Sequence, residues 1–157
     1  MSFLRFVMSL SLVAWIGGIL FFAFVMAPIL FLVLPSSHLA ASVIGPALSR
    51  LHWIGIVSGL MFLASSLLYS RFTTGDAKPF AACHVLVVLM LALTCISQFA
   101  ITPRLAAVRA QTERIDSAPE ALRLQFDALH IWSTRLEGGV LLLGLAVIYL
   151  VSKERVV

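Results

Sequence analysis

An uncharged stretch from Phe6 to Leu34 limits the fold of this chain more than any other feature. It is longer than the ~20 apolar residues that a helix needs to cross a bilayer. It is also too long for the core of a signal peptide, which is ~7–15 residues, and no A-x-A-like cleavage site ends it. The whole chain is 61% hydrophobic and only 11% charged, whereas soluble domains are ~25% charged. We therefore predict a retained first helix in an integral membrane protein.

A short pattern occurs twice along the chain. A Phe lies four residues before Pro28 and before Pro103, and a later Leu-His pair ends in His52 and in His130. The proline-to-histidine spacings are 24 and 27 residues, so they differ by nearly one helical turn. Each proline would end an odd-numbered helix and each histidine would open an even-numbered one. The pattern predicts a parallel repeat of two helical hairpins, with chance similarity in an apolar sequence as the alternative.

The apolar runs predict four membrane crossings in one domain that covers residues 1–157. The first and third expected helices cover about 3–34 and 80–102. The second begins weakly near His38 and crosses the membrane at 51–70, with a polar loop at 71–79, and the last helix contains an uncharged run at 138–152. Charged residues after Pro103 and before Gly138 predict that helices three and four extend beyond the bilayer. Ser36 or Ser37 is expected to cap the second helix. The fold class is therefore all-α, an integral membrane four-helix bundle.

Four crossings would place both termini on one side of the membrane. That side carries a net charge of +3 and the other side +1, which predicts cytoplasmic termini in the inner membrane. The chain has a net charge of +4 but no cluster of Lys or Arg, and its basic residues flank apolar spans. This excludes nucleic acid as a partner. The expected partners are the lipid bilayer and either further copies of the chain or a larger membrane complex.

Small and polar residues gather on one face of the second helix, as they do where membrane helices contact each other. The residues with this spacing are Gly45, Ser49, His52, Gly55, Gly59 and Ser66. The third helix has a similar face that contains Gln98. We expect Gly17, Gly18, Gly55 and Gly59 to lie at helix–helix contacts.

His52 and His130 are the candidate cofactor-binding residues. They occupy matching positions of the repeat, and ionisable residues within membrane segments often mark a site. Three roles stay open: a structural hydrogen bond between helices, a haem b or metal site, and a proton or ion path. Polar residues that would orient the two rings are Ser49, Gln98, Thr134 and Glu137. Glu137 is also expected on the interior face of the fourth helix, with pairing to Arg123 or Arg135 as its alternative.

The sequence contains no catalytic triad order, phosphate-binding glycine loop or zinc-protease motif. It therefore favours a non-enzymatic membrane protein that is a small subunit of a complex or handles a small solute or metal. The first alternative is a haem-b-binding redox protein. The second is a channel or carrier component, which would have to be an oligomer because four helices enclose little pore.

Three loose motifs resemble a known family. Trp15-x-Gly-Gly, Phe24-x-x-x-Pro28-x-Leu-Phe and Phe126-x-x-Leu-His130-x-x-Ser resemble the transmembrane protein 205-like family, whose bacterial members are uncharacterised four-helix proteins. The first helix more distantly resembles the copper-resistance-D-like group, which includes four-helix, haem-b-containing protoporphyrinogen oxidases. That oxidase family has a histidine where this chain has Met8, and a lysine where it has Leu86. The resemblance therefore implies the bundle architecture and not the oxidase active site.

Overall fold

The computed structural model describes residues 2–74, 82–112 and 117–154, and these form an all-helical bundle. The first half of the chain contains α1 (Ser2–Phe21), a π-helical segment (Phe22–Met26), α2 (Ala27–Val33) and α3 (Ser37–Thr74). The second half contains α4 (Ala82–Ile96), a second π-helical segment (Ser97–Ile101), α5 (Thr102–Ala110) and α6 (Glu120–Glu154). Most of the predicted loop at 71–79 lies outside the described residues, and α3 continues through its first part.

Within the described residues, four helices are long and apolar enough to cross a membrane. They cover Ser2–Val33, His38–Thr73, Ala82–Ala110 and Glu120–Lys153. Their outer surfaces are apolar, and Leu32, for example, is 85% exposed. A surface of this kind is stable when acyl chains cover it. The chain is thus a multi-pass membrane protein, as the sequence predicts, and its outer faces contact lipid.

The helices contact each other in cyclic order around the bundle. α1 packs mainly on α3 and α4 mainly on α6, while α3–α4 and α1–α6 contacts join these two pairs of helices. At the centre, Trp15 is 2% exposed and fills the space over Gly55 and Gly59. Side chains within van der Waals reach also cover Gly18, which confirms three of the four predicted glycine contacts. Gly17 was predicted wrongly, because no atom lies within 4 Å of where its Cβ would be.

Each proline of the repeated pattern follows a π-helical turn. The segments Phe22–Met26 and Ser97–Ile101 both begin six residues before a proline and end two before it. Proline has no N–H, and its ring collides with the carbonyl four residues earlier, which belongs to the Phe of the pattern. Widening the turn to i→i+5 bonds relieves this collision without breaking the helix. The N–H of Ala27 accordingly donates to the Phe22 carbonyl and that of Thr102 to the Ser97 carbonyl.

The second long helix begins at Ser37, one residue before the weak start near His38 that the sequence predicts. α3 is continuous from Ser37, and Pro46 lies inside it. Its first turn is capped by Ser36, whose Oγ accepts a bond of 3.2 Å from the Leu39 N–H. This confirms the predicted serine cap, because that hydroxyl satisfies one of the free N–H groups of the first turn.

Candidate functional site

A chain of four polar side chains crosses the bundle interior from α3 to α6. The Gln98 amide Nε2 donates to Ser49 Oγ over 3.0 Å, and its Oε1 lies 2.9 Å from His52 Nδ1. The other ring nitrogen, His52 Nε2, lies 2.6 Å from Glu137 Oε1. The structure therefore brings together four of the sequence-selected residues, which come from α3, the second π-helical segment and α6. Burial strengthens each of these bonds, because few waters compete for the groups.

The direction of the hydrogen bonds defines where the protons lie. With Gln98 donating to Ser49, its oxygen accepts the Nδ1–H of His52. The short contact between His52 Nε2 and Glu137 Oε1 then requires one further proton. That proton makes either an imidazolium beside a carboxylate or a neutral imidazole beside a carboxylic acid. The pair can thus hold one proton between two atoms.

The members of this chain differ in their access to the surroundings. His52 is 1% exposed, whereas the Glu137 side chain is 18% exposed. Trp53 and Phe99, which directly follow His52 and Gln98 in the sequence, make an edge-to-face contact between the same two helices with ring centroids 5.9 Å apart. Aromatic pairs of this geometry hold neighbouring elements in register. Glu137 therefore connects the buried His52 ring to the open space beside the polar chain.

That space is a cleft of about 890 Å³. It lies between α2 with the end of α1, the first half of α3, α5 and the first half of α6. Its walls are mostly apolar and include Ile19, Phe22, Phe31 and Leu51. The titratable side chains that line it are His38, Arg109, Asp127, His130 and Glu137. The size falls within the range of ~300–1,000 Å³ that is usual for small-molecule sites.

His130 lies in a different environment from His52. It is exposed at the cleft wall, where its ring stacks on Phe126 with a centroid distance of 6.0 Å and an interplanar angle of 5°. Thr134 Oγ1 donates to the His130 backbone carbonyl over 3.0 Å, so it does not orient the ring. Glu137 contacts His52 instead of His130, Arg123 or Arg135. The repeat therefore does not give the two histidines equivalent surroundings.

Both ring nitrogens of His52 already have partners. A metal or haem iron would need one of these nitrogens as a free electron-pair donor, so ligation would break the bond to Gln98 or to Glu137. Among the described residues there is no cluster of three or more His, Cys, Asp or Glu side chains that could hold a metal ion. Shared cofactor ligation by His52 and His130 remains a prediction from sequence.

The family described as "Domain of unknown function (DUF4149)" matches residues 10–114, which is more than half of the chain. The chain belongs to the DUF4149 family. The match is to neither the transmembrane protein 205-like family nor the copper-resistance-D-like group, so both resemblances rest on motifs alone. No protein of curated function and no solved structure matches the chain.

The DUF4149 match contains only part of the site. It includes Ser49, His52 and Gln98, and it ends before Asp127, His130, Thr134 and Glu137. The polar chain and the cleft therefore form only when α6 packs beside the three membrane-spanning helices that the DUF4149 match covers, which contain α1 to α5.

Arg109 is a cleft residue that the sequence does not single out, because the charged residues after Pro103 predict that this part of the helix lies in water beyond the bilayer. It is only partly exposed, and its Nη1 donates to the Ala41 carbonyl over 3.1 Å. The guanidinium carbon lies 5.4 Å from the Phe126 ring centroid. Arg109 follows Leu105 by four residues and so shares its helix face, but the burial of Leu105 is visible only in the structure.

Proposed function

We propose that this protein is a non-enzymatic inner-membrane protein that holds a small amphiphilic solute in the cleft between its two hairpins. The observation that carries the proposal is that Glu137 belongs to the cleft wall and to the buried hydrogen-bond chain at the same time. A solute in the cleft can therefore affect the proton shared with His52. We place both termini in the cytoplasm because of the charge asymmetry, which reporter fusions after Ser70 and after Val157 would test.

The shape of the cleft supports binding of a molecule from the membrane. Its wall combines apolar side chains, such as Ile19, Phe31 and Leu51, with the charged side chains of Arg109 and Asp127. Between Ile19 and Phe31 the first helix advances ~18 Å at 1.5 Å per residue. An amphiphile could lie along this wall with its polar group near Arg109 and Asp127.

The hydrogen-bond chain supports a response to that solute. A solute that displaces water from around Glu137 leaves fewer waters to compete for the His52–Glu137 hydrogen bond, which strengthens that bond. The bundle could thus report occupancy of the cleft through one internal hydrogen bond, a change that is local and needs no large movement.

The experiment is purification of the full chain in mild detergent, followed by mass spectrometry of retained small molecules. Ala106 lies at the cleft wall and is exposed, so Ala106→Phe should fill the cleft without disturbing the core. Ala107→Phe is the matched control, because Ala107 is equally exposed on α5 and does not line the cleft. The wild type and the control should retain an amphiphile that Ala106→Phe lacks.

Two results would contradict the proposal. The first is a wild-type protein that retains no amphiphile, and the second is equal retention by the two phenylalanine variants. The same preparations, expressed with ample haem, can be scanned for Soret absorbance. A Soret band in the wild type that disappears from both His52→Ala and His130→Ala would instead favour the haem-binding alternative.

A further inference from the structure

Two opposite charges face the cleft without pairing with each other. Arg109 and Asp127 both line it, and within residues 2–74, 82–112 and 117–154 neither one forms an ion pair. Glu137, the other carboxylate of the lining, is already engaged with His52. The remaining titratable groups of the lining are the imidazoles of His38 and His130. Within the part of the chain that the structure describes, the cleft therefore presents one cation and one anion that have no ion-pair partner.

Arg109 is held in place by contacts that leave part of its guanidinium unused. Gly45 makes the approach possible, since a Cβ there would lie 2.6 Å from Arg109 Nη1. Nη1 binds the Ala41 carbonyl and the flat face lies over Phe126, while the buried Nε has no hydrogen-bond partner. A guanidinium has five N–H donors, so an anion with several oxygens could accept the free ones after a small adjustment of the side chain.

Asp127 lines the same cleft as Arg109. It directly follows Phe126, the ring that Arg109 covers, and its side chain is exposed at the cleft wall. A simple anion bound by Arg109 would sit near the Asp127 carboxylate and would be repelled by it. A ligand that carries both a phosphate and an ammonium group would instead satisfy both residues. The charges thus favour a zwitterion over an anion.

We propose that the amphiphile is a phospholipid with a zwitterionic phosphoethanolamine headgroup, with its phosphate at Arg109 and its ammonium at Asp127. One acyl chain would follow the apolar wall from Phe31 towards Ile19. This inference rests on the proposed function and adds the chemical class of the solute. Arginine suits phosphate because its planar fork can donate two parallel hydrogen bonds.

The test is native mass spectrometry of the full chain in detergent, titrated with defined probes. The probes are a dilauroyl phosphoethanolamine lipid, a dilauroyl phosphoglycerol lipid with the same phosphate and no ammonium, and laurate. The wild type should prefer the phosphoethanolamine lipid. Arg109→Gln should lower the affinity for both phospholipids about tenfold, as expected when charge-assisted hydrogen bonds are lost. Arg109→Lys should retain part of that affinity.

Asp127→Asn separates the two halves of the headgroup. It should remove the preference for phosphoethanolamine over phosphoglycerol while leaving phosphoglycerol binding equal or stronger. Matched controls are Arg104→Gln on α5 and Glu120→Gln on α6, which change exposed residues that do not line the cleft. Both controls should bind like the wild type.

The inference is wrong if the wild type binds the phosphoglycerol lipid or laurate as tightly as the phosphoethanolamine lipid. It is also wrong if Arg109→Gln and Arg104→Gln behave alike. The proposed function would survive either result provided that Ala106→Phe still removes a retained amphiphile. If Ala106→Phe retains the amphiphile like the wild type, the cleft is not its binding site and the proposed function is wrong as well.

Discussion

The two copies of the proline pattern have the same local structure and different chemical surroundings. Both contain a π-helical turn at the same distance before the proline. Yet His52 in the first copy is buried between Gln98 and Glu137, while His130 in the second is exposed and stacked on Phe126. The residue seven positions after each histidine also differs, being Gly59 in one and Glu137 in the other. Local sequence thus reproduced a backbone feature, and packing assigned each histidine its role.

The histidines should differ most in their contribution to stability. His52→Ala would leave Glu137 without its partner, which we expect to cost about 3 kcal/mol, the lower end for breaking a buried pair because Glu137 is partly exposed. His130→Ala should change the free energy of unfolding by less than about 0.5 kcal/mol, as surface substitutions do. Thermal unfolding in detergent measures both. Equal losses would show that the histidines are equivalent after all.

A second variant checks the reason for that loss. Adding Glu137→Gln to His52→Ala should restore part of the stability, because a neutral amide is easier to leave unpaired than a carboxylate. A double variant that is less stable than His52→Ala would show that packing of the ring, and not the orphaned charge, explains the effect.

The glycines provide a comparison of intermediate size. Gly59→Leu would push against Trp15 and Leu91, whose atoms lie 2.7 Å from the position of the added Cβ. We expect a loss of about 2 kcal/mol, typical of overpacking. Gly17→Leu is the control, since its Cβ would meet nothing within 4 Å, and it should leave the unfolding temperature in detergent nearly unchanged. Similar losses for the two variants would contradict this packing of α1 on α3.

The prolines should show the smallest difference. Pro103→Ala would let the Ser97–Ile101 turn return to α-helical geometry and move Gln98 away from His52, at a cost of about 1 kcal/mol, the net value of one hydrogen bond. Pro28→Ala should cost less, because the Phe22–Met26 segment has no buried residue. Unfolding measurements together with the NMR signal of the His52 ring would detect the change. A larger loss for Pro28→Ala would reverse the proposed importance of the two turns.

Much of the fold could be predicted from local features of the sequence. The length and composition of the apolar runs determined the four membrane helices. In lipid no water can pair with the backbone N–H and C=O groups, and an apolar segment satisfies them internally by forming a helix. The Ser36 cap and the contacts of Gly18, Gly55 and Gly59 followed from the same local rules. Gly17 did not, since adjacent helical positions point about 100° apart and only one of the pair faces the neighbour.

The site was predicted as a set of residue types and not as an arrangement. Helical spacing indicated that His52, Gln98 and Glu137 face the interior, but it could not say that Glu137 would reach His52 instead of Arg135. That pairing depends on how far α6 is shifted along α3 and α4. The charge of Arg109 predicts a position in water. In the structure, the missing side chain of Gly45 leaves room for the guanidinium at the cleft wall, where it donates to the Ala41 carbonyl.

The sequence by itself determined that this chain is a four-helix membrane protein, since hydrophobic length and proline chemistry act within each helix. The tertiary structure alone decided which histidine is buried, which carboxylate it meets, and that a cleft remains between the helices. The physical reason is that these features depend on relative shifts and rotations of helices. Such movements are set by many small packing contacts between distant segments, and no single segment contains that information.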